Sequence, residues 1–460
     1  MKDTTNLTMH DFAYRLTYED LPTELLTVLR RSFVDTVGVA ALGSTTELSK
    51  LARNGAQALF GVGGAGASRM LLDGRSVSPA GAAMAGAFTV DSVDAHDGTT
   101  PNKGHAGSAI FPALLAVADA LRAGGQEVSG REFAIWLAVA YEVAYRAGQV
   151  QHATCEDYHT SGAWTAVGVA ASVARMLGAS PEQIRHAAGI GEYHGPRSQM
   201  MRCIDFPTMV RDGVGWGAPS GVVGAYLARE GFTGAPALTC ESEAAHPFWA
   251  DLGKEWLTIA HTHYKLYPCC RWAHPSMQSA ADLMQRHRLS SDDIASVEIR
   301  TFHYATRLAG HQPATPDDLA YSIAFPVAAM IVRGQFGGAE LMPQTLKDPE
   351  ILRISTATTL IDDPELTARS IDKRWAQVAL ILRDGRRIEA PPNTPRGDRD
   401  DPLSDAEITT KFHGLADPAI GRSHAEELRA ACQNFDRLDA RAFGHMLDLL
   451  ATPGIDSCLN

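Results

Sequence analysis

The feature that most constrains this 460-residue chain is a series of apolar segments, rich in alanine and glycine, through its first 260 residues. Apolar residues recur there at helical spacing, as in GAWTAVGVAASVARMLG at residues 162–178. Such small residues let helix backbones approach closely. We therefore predict a nearly all-helical region, with two helices within residues 9–42 and others at 46–60, 109–123, 130–148, 161–177, 181–191 and 217–230.

A glycine motif interrupts this region without changing the prediction. Gly61, Gly63 and Gly66 spell GxGxxG, but a helical pattern precedes them and the short strand-like SRMLLDG follows. A dinucleotide-binding fingerprint needs the order strand, turn, helix. We predict no nucleotide site here.

The pattern changes after about residue 265. SVEIRTFHYATRL and QVALILRDGRRIEA alternate in the manner of strands, and Asp384-Gly385 favours a hairpin turn. A helix over 317–334 is predicted between them, followed by a polar loop at 391–404. Two further helical segments then end the chain, and we expect them to pack on the first region.

These patterns predict a mainly α protein with two domains. The larger, all-helical domain would comprise residues 1–265 plus 405–460. A smaller α+β domain, residues 266–404, would be inserted into it.

Composition excludes several classes of protein. The net charge of −12 argues against a nucleic-acid partner, and no apolar run reaches the ~20 residues that span a bilayer. The start of the chain lacks signal-peptide features, and the seven cysteines are scattered without a CxxC pair. We expect a cytoplasmic protein, and an anionic substrate would need positive charge concentrated locally.

The main candidate site is the loop at residues 91–107, DSVDAHDGTTPNKGHAG. It holds three Asp, two His and one Lys between two apolar segments. Ionisable residues in a loop between buried elements are typical of a functional site, although a solvated charged loop is the alternative. Asp94, His96, Asp97 and His105 could also bind a divalent metal, but their spacing matches no strong template, and we predict no metal.

Two more segments supply candidate anion-binding groups. His159 stands just before a predicted helix, whose N-terminus favours a bound carboxylate, although a capping or surface role is equally open. Arg197, Arg202 and Arg211 lie in the irregular stretch 194–217 and could bind carboxylates. They could instead form salt bridges with nearby aspartates, Asp205 and Asp212.

A last candidate segment, HTHYKLYPCCRWAHP at 261–275, lies at the predicted domain junction, where pockets are favoured. Lys265, Arg271 and His274 stand there among aromatic residues. Cys269-Cys270 beside Arg271 could include a nucleophilic thiol, although packing is the commoner role of such cysteines.

Together these motifs resemble the MmgE/PrpD family. The resemblance is carried by DSVDAHDG…KGHAGSAIFPALLA, YHTSGAWTAVGVAASVARMLG, MVRDGVGWG followed by GFTGAP, and KLYPCCRWAHP, and it extends from the first helices to PLSDAEITTKF. That family includes 2-methylcitrate dehydratase, cis-aconitate decarboxylase and iminodisuccinate epimerase. The resemblance implies a helical domain with a smaller α+β lid, an active site between them, a homodimer and no cofactor.

The resemblance also implies site residues. Asp94 and His105 are similar to the family's Asp and His in the first loop, and His159 to a pocket His. Lys265 and His274 are similar to the Lys and His of the later segment.

Three departures distinguish this chain. Its loop reads D-A-H-D-G where the family has D-F-D-D-[ST], with Lys103 added. Arg211 stands where many members have Lys. Phe325 stands where many have Tyr, although Tyr321 lies one helical turn earlier.

The reaction expected from these residues is proton abstraction next to a carboxylate, by His105 or His274. Asp94 would orient a histidine, while Lys103, Arg211, Lys265 and Arg271 would bind carboxylates. We predict a cofactor-independent lyase, a hydro-lyase of a small di- or tricarboxylate, with an epimerase or decarboxylase as the alternative. A metal-dependent hydrolase and a non-catalytic carboxylate-binding protein are two further alternatives.

Overall fold

A computed structural model describes residues 7–308 and 310–455 of the chain. The fold is mainly α, as predicted. The helices of the first part are α1 Met9–Arg15, α2 Thr23–Gly43, α3 Glu47–Leu59, α4 Pro79–Asp91, α5 Gly107–Ala123, α6 Gly130–Thr154, α7 Gly162–Met176, α8 Pro181–His194, α9 Met201–Asp205, α10 Val214–Arg229, α11 Leu238–Glu241, α12 His246–Trp249 and α13 Leu257–His261.

The remaining helices are α14 His274–His287, α15 Pro316–Ala320, α16 Ala324–Arg333, α17 Pro349–Thr356, α18 Pro364–Arg369, α19 Asp405–Ile420, α20 Arg422–Gln433 and α21 Ala440–Ala451. Of these helices, α14, α16, α17 and α18 contact a small sheet, whereas α19, α20 and α21 pack on helices of the first part. Short 3-10 helices lie at Tyr18–Asp20, Glu243–Ala245, Arg271–Ala273, Ser291–Asp293, His303–Arg307, Gly338–Leu341, Thr345–Lys347 and Phe435–Arg437.

Within the described residues, eight short strands form three sheets. They are β1 Ser68–Arg69, β2 Ser76–Val77, β3 Gly98–Thr99, β4 Thr262–His263, β5 Ile294–Thr301, β6 Thr358–Asp362, β7 Ala376–Leu382 and β8 Arg387–Glu389. β1 pairs with β2 and β3 with β4, both antiparallel. The four-stranded sheet has the order β6-β5-β7-β8, in which only β5 and β6 run parallel.

Local signals placed several element boundaries correctly. Pro22 precedes α2, and Ser180 caps α8 by accepting from Gln183 N–H at 3.3 Å, with Pro181 in the first turn. The turn at Asp384-Gly385 joins β7 to β8, and Gly385 has the positive φ that such a turn requires. The GxGxxG motif follows helix α3, as predicted, and not a strand.

The predicted helix over 317–334 is wrong in one respect, because it is two helices, α15 and α16. Pro326 lacks the N–H that would bond to the Ser322 carbonyl, so a continuous helix loses a hydrogen bond there. The Ser322 hydroxyl accepts from Phe325 N–H at 3.3 Å instead. The strand predicted in 296–308 also ends early, at Thr301, and a 3-10 helix follows it.

Buried apolar side chains form two clusters. One draws on helices from residues 9–264 and 403–450, and the other on residues 269–390 together with Met200, Cys203 and Ile204. α20 packs on α2 and α21 on α5, which confirms the packing predicted for the last helices. The limits of the two domains, and an inserted lid, stay predictions.

Within residues 7–308 and 310–455, no helix combines the length and apolar character needed to cross a membrane.

Candidate active site

The loop at 91–107 connects α4 to α5 and lies against the segment around residue 265. Its strand β3 pairs with β4, which places Gly98 opposite His263. A methyl group on Gly98 would lie 2.6 Å from His263 Nε2 and 3.0 Å from His105 Nδ1, so only glycine leaves room for both rings. This pairing brings two of the candidate segments together.

Asp94 and Lys265 form the central ion pair of this contact. The Lys265 ammonium donates to the Asp94 carboxylate and, at 2.8 Å, to the Asp94 carbonyl. Lys265 is only 1% exposed, so the ammonium depends on these oxygens to replace water. Asp94 has a left-handed backbone (φ 47°), a conformation common at ligand sites.

His105 is held with one ring nitrogen free. Its Nδ1 lies 2.7 Å from the Asp97 carbonyl, which can only accept, so Nδ1 carries the proton. Its Nε2 lies 3.9 Å from Asp94 Oδ1. Burial, and then the Lys265 ammonium, lower the pKa of His105 well below its ordinary value. His105 is therefore a neutral imidazole with a lone pair available on Nε2.

His96 packs edge-on against His105, but the pKa values of the two rings shift in opposite directions. Its Nε2 lies 3.1 Å from Asp91 Oδ1. Burial is the largest influence and opposes the imidazolium, but the hydrogen bond to Asp91 together with the negative charges of Asp91 and Asp94 outweighs it, and the pKa of His96 is raised. The two neighbouring histidines therefore have opposite tendencies, because one faces a carboxylate and the other a backbone carbonyl.

A hydrogen-bonded chain fixes the backbone of His105. Its N–H donates to Ser161 Oγ at 2.9 Å, and the Ser161 hydroxyl donates to the Asp212 carboxylate. Asp212 N–H donates to Asp91 Oδ2 at 3.1 Å. Burial, and then the Asp91 carboxylate, raise the pKa of Asp212 to about 7. This chain links the loop to the start of α7.

Asp94, His105, Lys265 and Asp212 border an open cleft of about 580 Å³, a volume that includes space open to solvent. Its charged and imidazole-bearing lining residues are Asp94, Lys103, His105, Asp212, His263, Lys265, Arg271 and Arg374. Four cations thus face two carboxylates in a protein of net charge −12. Such a cleft attracts small anions.

The structure brings together five of the predicted site residues. Asp94, Lys103, His105, Lys265 and Arg271 all line the cleft, although they come from two segments far apart in sequence.

The two other predicted catalytic residues, His159 and His274, do not line this cleft. His159 is half-buried, lies opposite Gln199, and has a buried Nδ1 without a hydrogen-bond partner among the residues described. His274 begins α14, and its Nε2 donates to the Cys269 carbonyl at 3.2 Å. That bond fixes the turn that presents Arg271.

The three arginines of 194–217 are also outside the cleft lining. Arg197 and Arg202 are exposed on the surface, and Arg197 donates to Cys155 Sγ at 3.3 Å. Arg211 is buried, with its Nη2 2.6 Å from Asp317 Oδ1 and 2.8 Å from the Ser92 carbonyl. It lies near the ring of Tyr321, at 5.9 Å from the centroid.

The alternative salt bridges considered for these arginines do not form either. Asp205 pairs with Arg307, and Asp212 accepts from Ser161.

The sequence prediction assigned no site role to four residues of the cleft, Tyr158, His263, Tyr321 and Arg374, although it noted Tyr321 one helical turn before Phe325. Tyr321 occupies the break between α15 and α16, where a continuous helix was expected. His263 lies two residues before Lys265 in a segment already chosen, so alternation along β4 could have signalled it. Nothing in the local sequence distinguishes Arg374.

Neither cysteine beside Arg271 suits a nucleophile. Burial raises the pKa of Cys270 to about 12 and that of Cys269 well above its ordinary value. Both thiols therefore stay protonated, in keeping with the packing role.

Asp94, His96 and His105 lie close enough to hold a metal ion, with one ligand atom of each within 4.8 Å of the others. The Lys265 ammonium already occupies the Asp94 carboxylate, and His96 is bound to Asp91. A divalent cation would have to displace a buried ammonium beside it. These residues do not fit a metal site.

Comparison with known proteins matches most of the chain to one family. The MmgE/PrpD N-terminal domain matches residues 8–246 and the MmgE/PrpD C-terminal domain matches residues 267–437. A cis-aconitate decarboxylase-like protein, oryM, of Aspergillus oryzae is 23% identical over 89% of this chain and 90% of its own length. The cis-aconitate decarboxylase of Aspergillus terreus is 22% identical over 96% of this chain and 95% of its own. The human cis-aconitate decarboxylase is 21% identical over 89% of this chain and 87% of its own. The chain therefore belongs to the MmgE/PrpD family.

Proposed function

We propose that this protein is a lyase that removes a proton from a carbon next to a carboxylate of a small di- or tricarboxylate, without a metal or organic cofactor. The observation that carries this proposal is a neutral histidine, His105, with a free Nε2 in a cleft lined by four cations. Dehydration is the reaction that such a base serves most directly.

His105 is the general base in this proposal. Because Nδ1 is committed to the Asp97 carbonyl, Nε2 is the atom that accepts the C–H proton. General base catalysis of this kind contributes about 10²–10⁴ in rate. Asp94, whose carboxylate oxygen is 3.9 Å from Nε2, stabilises the imidazolium once it forms.

The cations stabilise the negative charge that develops on the substrate, and in this proposal their electrostatic contribution is larger than that of Asp94. Loss of an α proton leaves two negative charges on the former carboxylate, as an enediolate. Lys265 and Arg271 are buried from solvent, so their charges act in a medium of low dielectric constant. Arg271 Nη1 is buried without a hydrogen-bond partner among the described residues, so it can bind a substrate oxygen. Losing one such donor typically costs ~10²–10³ in rate.

Tyr321 is the proton donor to the leaving hydroxide. Its side chain lines the cleft, and burial raises the pKa of its hydroxyl well above the ordinary value, so the proton is retained until the leaving group takes it. Phe325, which stands where many family members have Tyr, is fully buried outside the lining. Tyr321 therefore supplies the missing hydroxyl.

Decarboxylation is the second candidate reaction, and the names of the relatives favour it. Here the same cations would stabilise the carbanion left by carbon dioxide, and Tyr321 would protonate it. Epimerisation would need proton removal and return only.

One experiment distinguishes these reactions. Purified protein is incubated in deuterated water with a panel including cis-aconitate, 2-methylcitrate and related hydroxy-acids, and products are followed by NMR together with carbon dioxide release. Alkene formation shows dehydration, gas release shows decarboxylation, and deuterium exchange alone shows epimerisation. No turnover and no exchange would favour a non-catalytic carboxylate-binding protein.

Variants test the residue roles. His105→Ala should lose at least about 10²-fold in kcat. His274→Ala tests the remaining sequence prediction, since the Nε2 of His274 is occupied by the Cys269 carbonyl. Near wild-type turnover in both variants would refute assignment of the proton transfer to either histidine.

The resemblance implies a homodimer, and α10 offers a surface for it. Trp216, Val223 and Leu227 are exposed along one face of this helix, with Tyr193 and Phe232 also exposed. A patch of this kind normally marks a protein interface, and we assign it to a second copy. In sedimentation experiments the wild-type protein should be a dimer, and the Trp216→Asp variant should dissociate more readily into monomers. A monomeric wild-type protein would contradict this assignment.

A further inference from the structure

Two of the four cations at the cleft differ from the others because they have no carboxylate partner. Lys265 pairs with Asp94, and Arg271 Nη2 lies 3.1 Å from Asp398 Oδ2. Lys103 and Arg374 form no ion pair with any carboxylate in residues 7–308 and 310–455. Their charge is therefore available to a ligand.

Arg374 is fixed in place although it is unpaired. It lies two residues before the start of β7, and its Nη1 donates to the carbonyl of Ser370 at 2.9 Å and more weakly to that of Lys373 at 3.4 Å. Its guanidinium lies 5.8 Å from the ring centroid of Phe302. Among the described residues, the other guanidinium N–H groups of Arg374 have no hydrogen-bond acceptor, and a fork of free N–H groups matches a carboxylate.

Lys103 is held from the other side of the cleft. Its carbonyl accepts from the Tyr158 hydroxyl, and its Nζ lies 5.6 Å from the Tyr158 ring centroid. Its backbone is left-handed (φ 50°), a conformation that is unfavourable for a non-glycine residue. The surrounding contacts therefore impose this conformation.

The charge of Arg374 also acts on Lys103. Burial, and then Arg374, lower the pKa of Lys103, while burial lowers the pKa of Arg374. The acidic groups facing Arg374, Asp372 and Asp398, are not paired with it. Like charges that share a partly desolvated site are stabilised by a bound anion.

We propose that Lys103 and Arg374 form a subsite that binds one carboxylate of the substrate away from the reacting carbon, and so select a tricarboxylate over a dicarboxylate. The subsite rests on the proposed function in taking the ligand to be a polycarboxylate. Lys265 and Arg271 bind the carboxylate that becomes the enediolate, so Lys103 and Arg374 act on affinity and selectivity.

The test uses two unreactive ligands that share a carbon skeleton, propane-1,2,3-tricarboxylate and propane-1,3-dicarboxylate. Their dissociation constants are measured by calorimetry at fixed low ionic strength for the wild type, Arg374→Met and Lys103→Met. A charge-assisted hydrogen bond of about 1.5–3 kcal/mol predicts a ~10–150-fold weaker tricarboxylate affinity in each variant. The dicarboxylate affinity should change less than threefold, by roughly 0.6 kcal/mol.

Lys373→Met is the matched control. Lys373 adjoins Arg374 and carries the same charge, but it pairs with Asp400 and does not line the cleft. It should bind both ligands like the wild type. Arg374→Lys should recover part of the affinity, and circular dichroism with thermal melting verifies that each variant is folded.

Failure of the subsite and failure of the proposed function give different results. Equal tricarboxylate binding by Arg374→Met and Lys373→Met, or no tricarboxylate binding by the folded wild type, overturns the subsite. Selective loss of tricarboxylate affinity supports it, even if the wild type turns over no polycarboxylate, a result that would overturn the proposed function instead. If turnover occurs, the variants should raise KM with little change in kcat.

Discussion

A buried ion pair beneath the candidate site gives the sharpest stability prediction. Lys411 on α19 donates from Nζ to Asp35 Oδ1 on α2 and to the Ala95 carbonyl, each at 2.6 Å. The side chains of Lys411 and Asp35 are 6% and 0% exposed. The pair therefore connects the C-terminal helices to the loop residue next to Asp94.

Lys411→Met should leave the Asp35 carboxylate buried and unpaired. Removing one partner of a buried ion pair costs about 3–5 kcal/mol. Unfolding entropy of about 2.1 cal/mol/K per residue amounts to ~1 kcal/mol/K for this chain. The melting temperature should therefore fall by about 3–5 °C in calorimetry. Lys50→Met, at an exposed position of α3, should change the free energy of unfolding by less than about 0.5 kcal/mol.

The double variant Asp35→Leu/Lys411→Met tests the reason for this loss. Replacing both charges by apolar side chains removes the unpaired carboxylate, so at least half of the lost melting temperature should return. If the losses of Lys411→Met and Asp35→Leu simply add in the double variant, the two side chains are not coupled and the reasoning is wrong.

The pH dependence of Lys411→Met has a definite sign. Burial raises the pKa of Asp35 even in the wild type, and losing the ammonium raises it further. Above pH ~3.9 the unfolded state releases the Asp35 proton, whereas the folded state keeps it until the pH reaches the raised pKa of Asp35. Stability therefore falls as the pH rises from ~3.9 to that raised pKa. The gap in melting temperature between variant and wild type should be wider at pH 8 than at pH 5, and a constant gap would contradict an unpaired Asp35.

Three further predictions concern the cleft. Because the pKa of His105 lies well below 6.5, the decline of kcat/KM on the acidic side should begin below pH 6.5. A His105→Gln variant should be nearly inactive and should not show that decline. Gly98→Ala should lower kcat by about 10²-fold, because the methyl group displaces the rings of His263 and His105, whereas Gly64→Ala, with open space around its Cα, should stay active. Dialysis against a chelator should leave kcat unchanged, and activity restored only by added metal would instead support a metal-dependent hydrolase.

The sequence by itself determined the elements whose signals are local. The caps at Pro22 and Ser180-Pro181, the turn at Asp384-Gly385 and the helix before the glycine motif all depend on neighbouring residues alone. The loop at 91–107 was found for a similar reason, since Asp94, Lys103 and His105 lie close together in the chain. The order of the motifs along the chain also predicted the MmgE/PrpD family, and the two domain matches confirm that prediction.

Only the tertiary structure decided which charges reach the cleft. Arg211 and Arg374 cannot be distinguished by composition or spacing, yet Arg211 is paired with Asp317 and Arg374 is left unpaired at the cleft. Likewise, Tyr321 reaches the cleft because the chain breaks its helix before Pro326. Pairing between residues a hundred positions apart depends on how the two clusters pack, and no local pattern in the sequence records it.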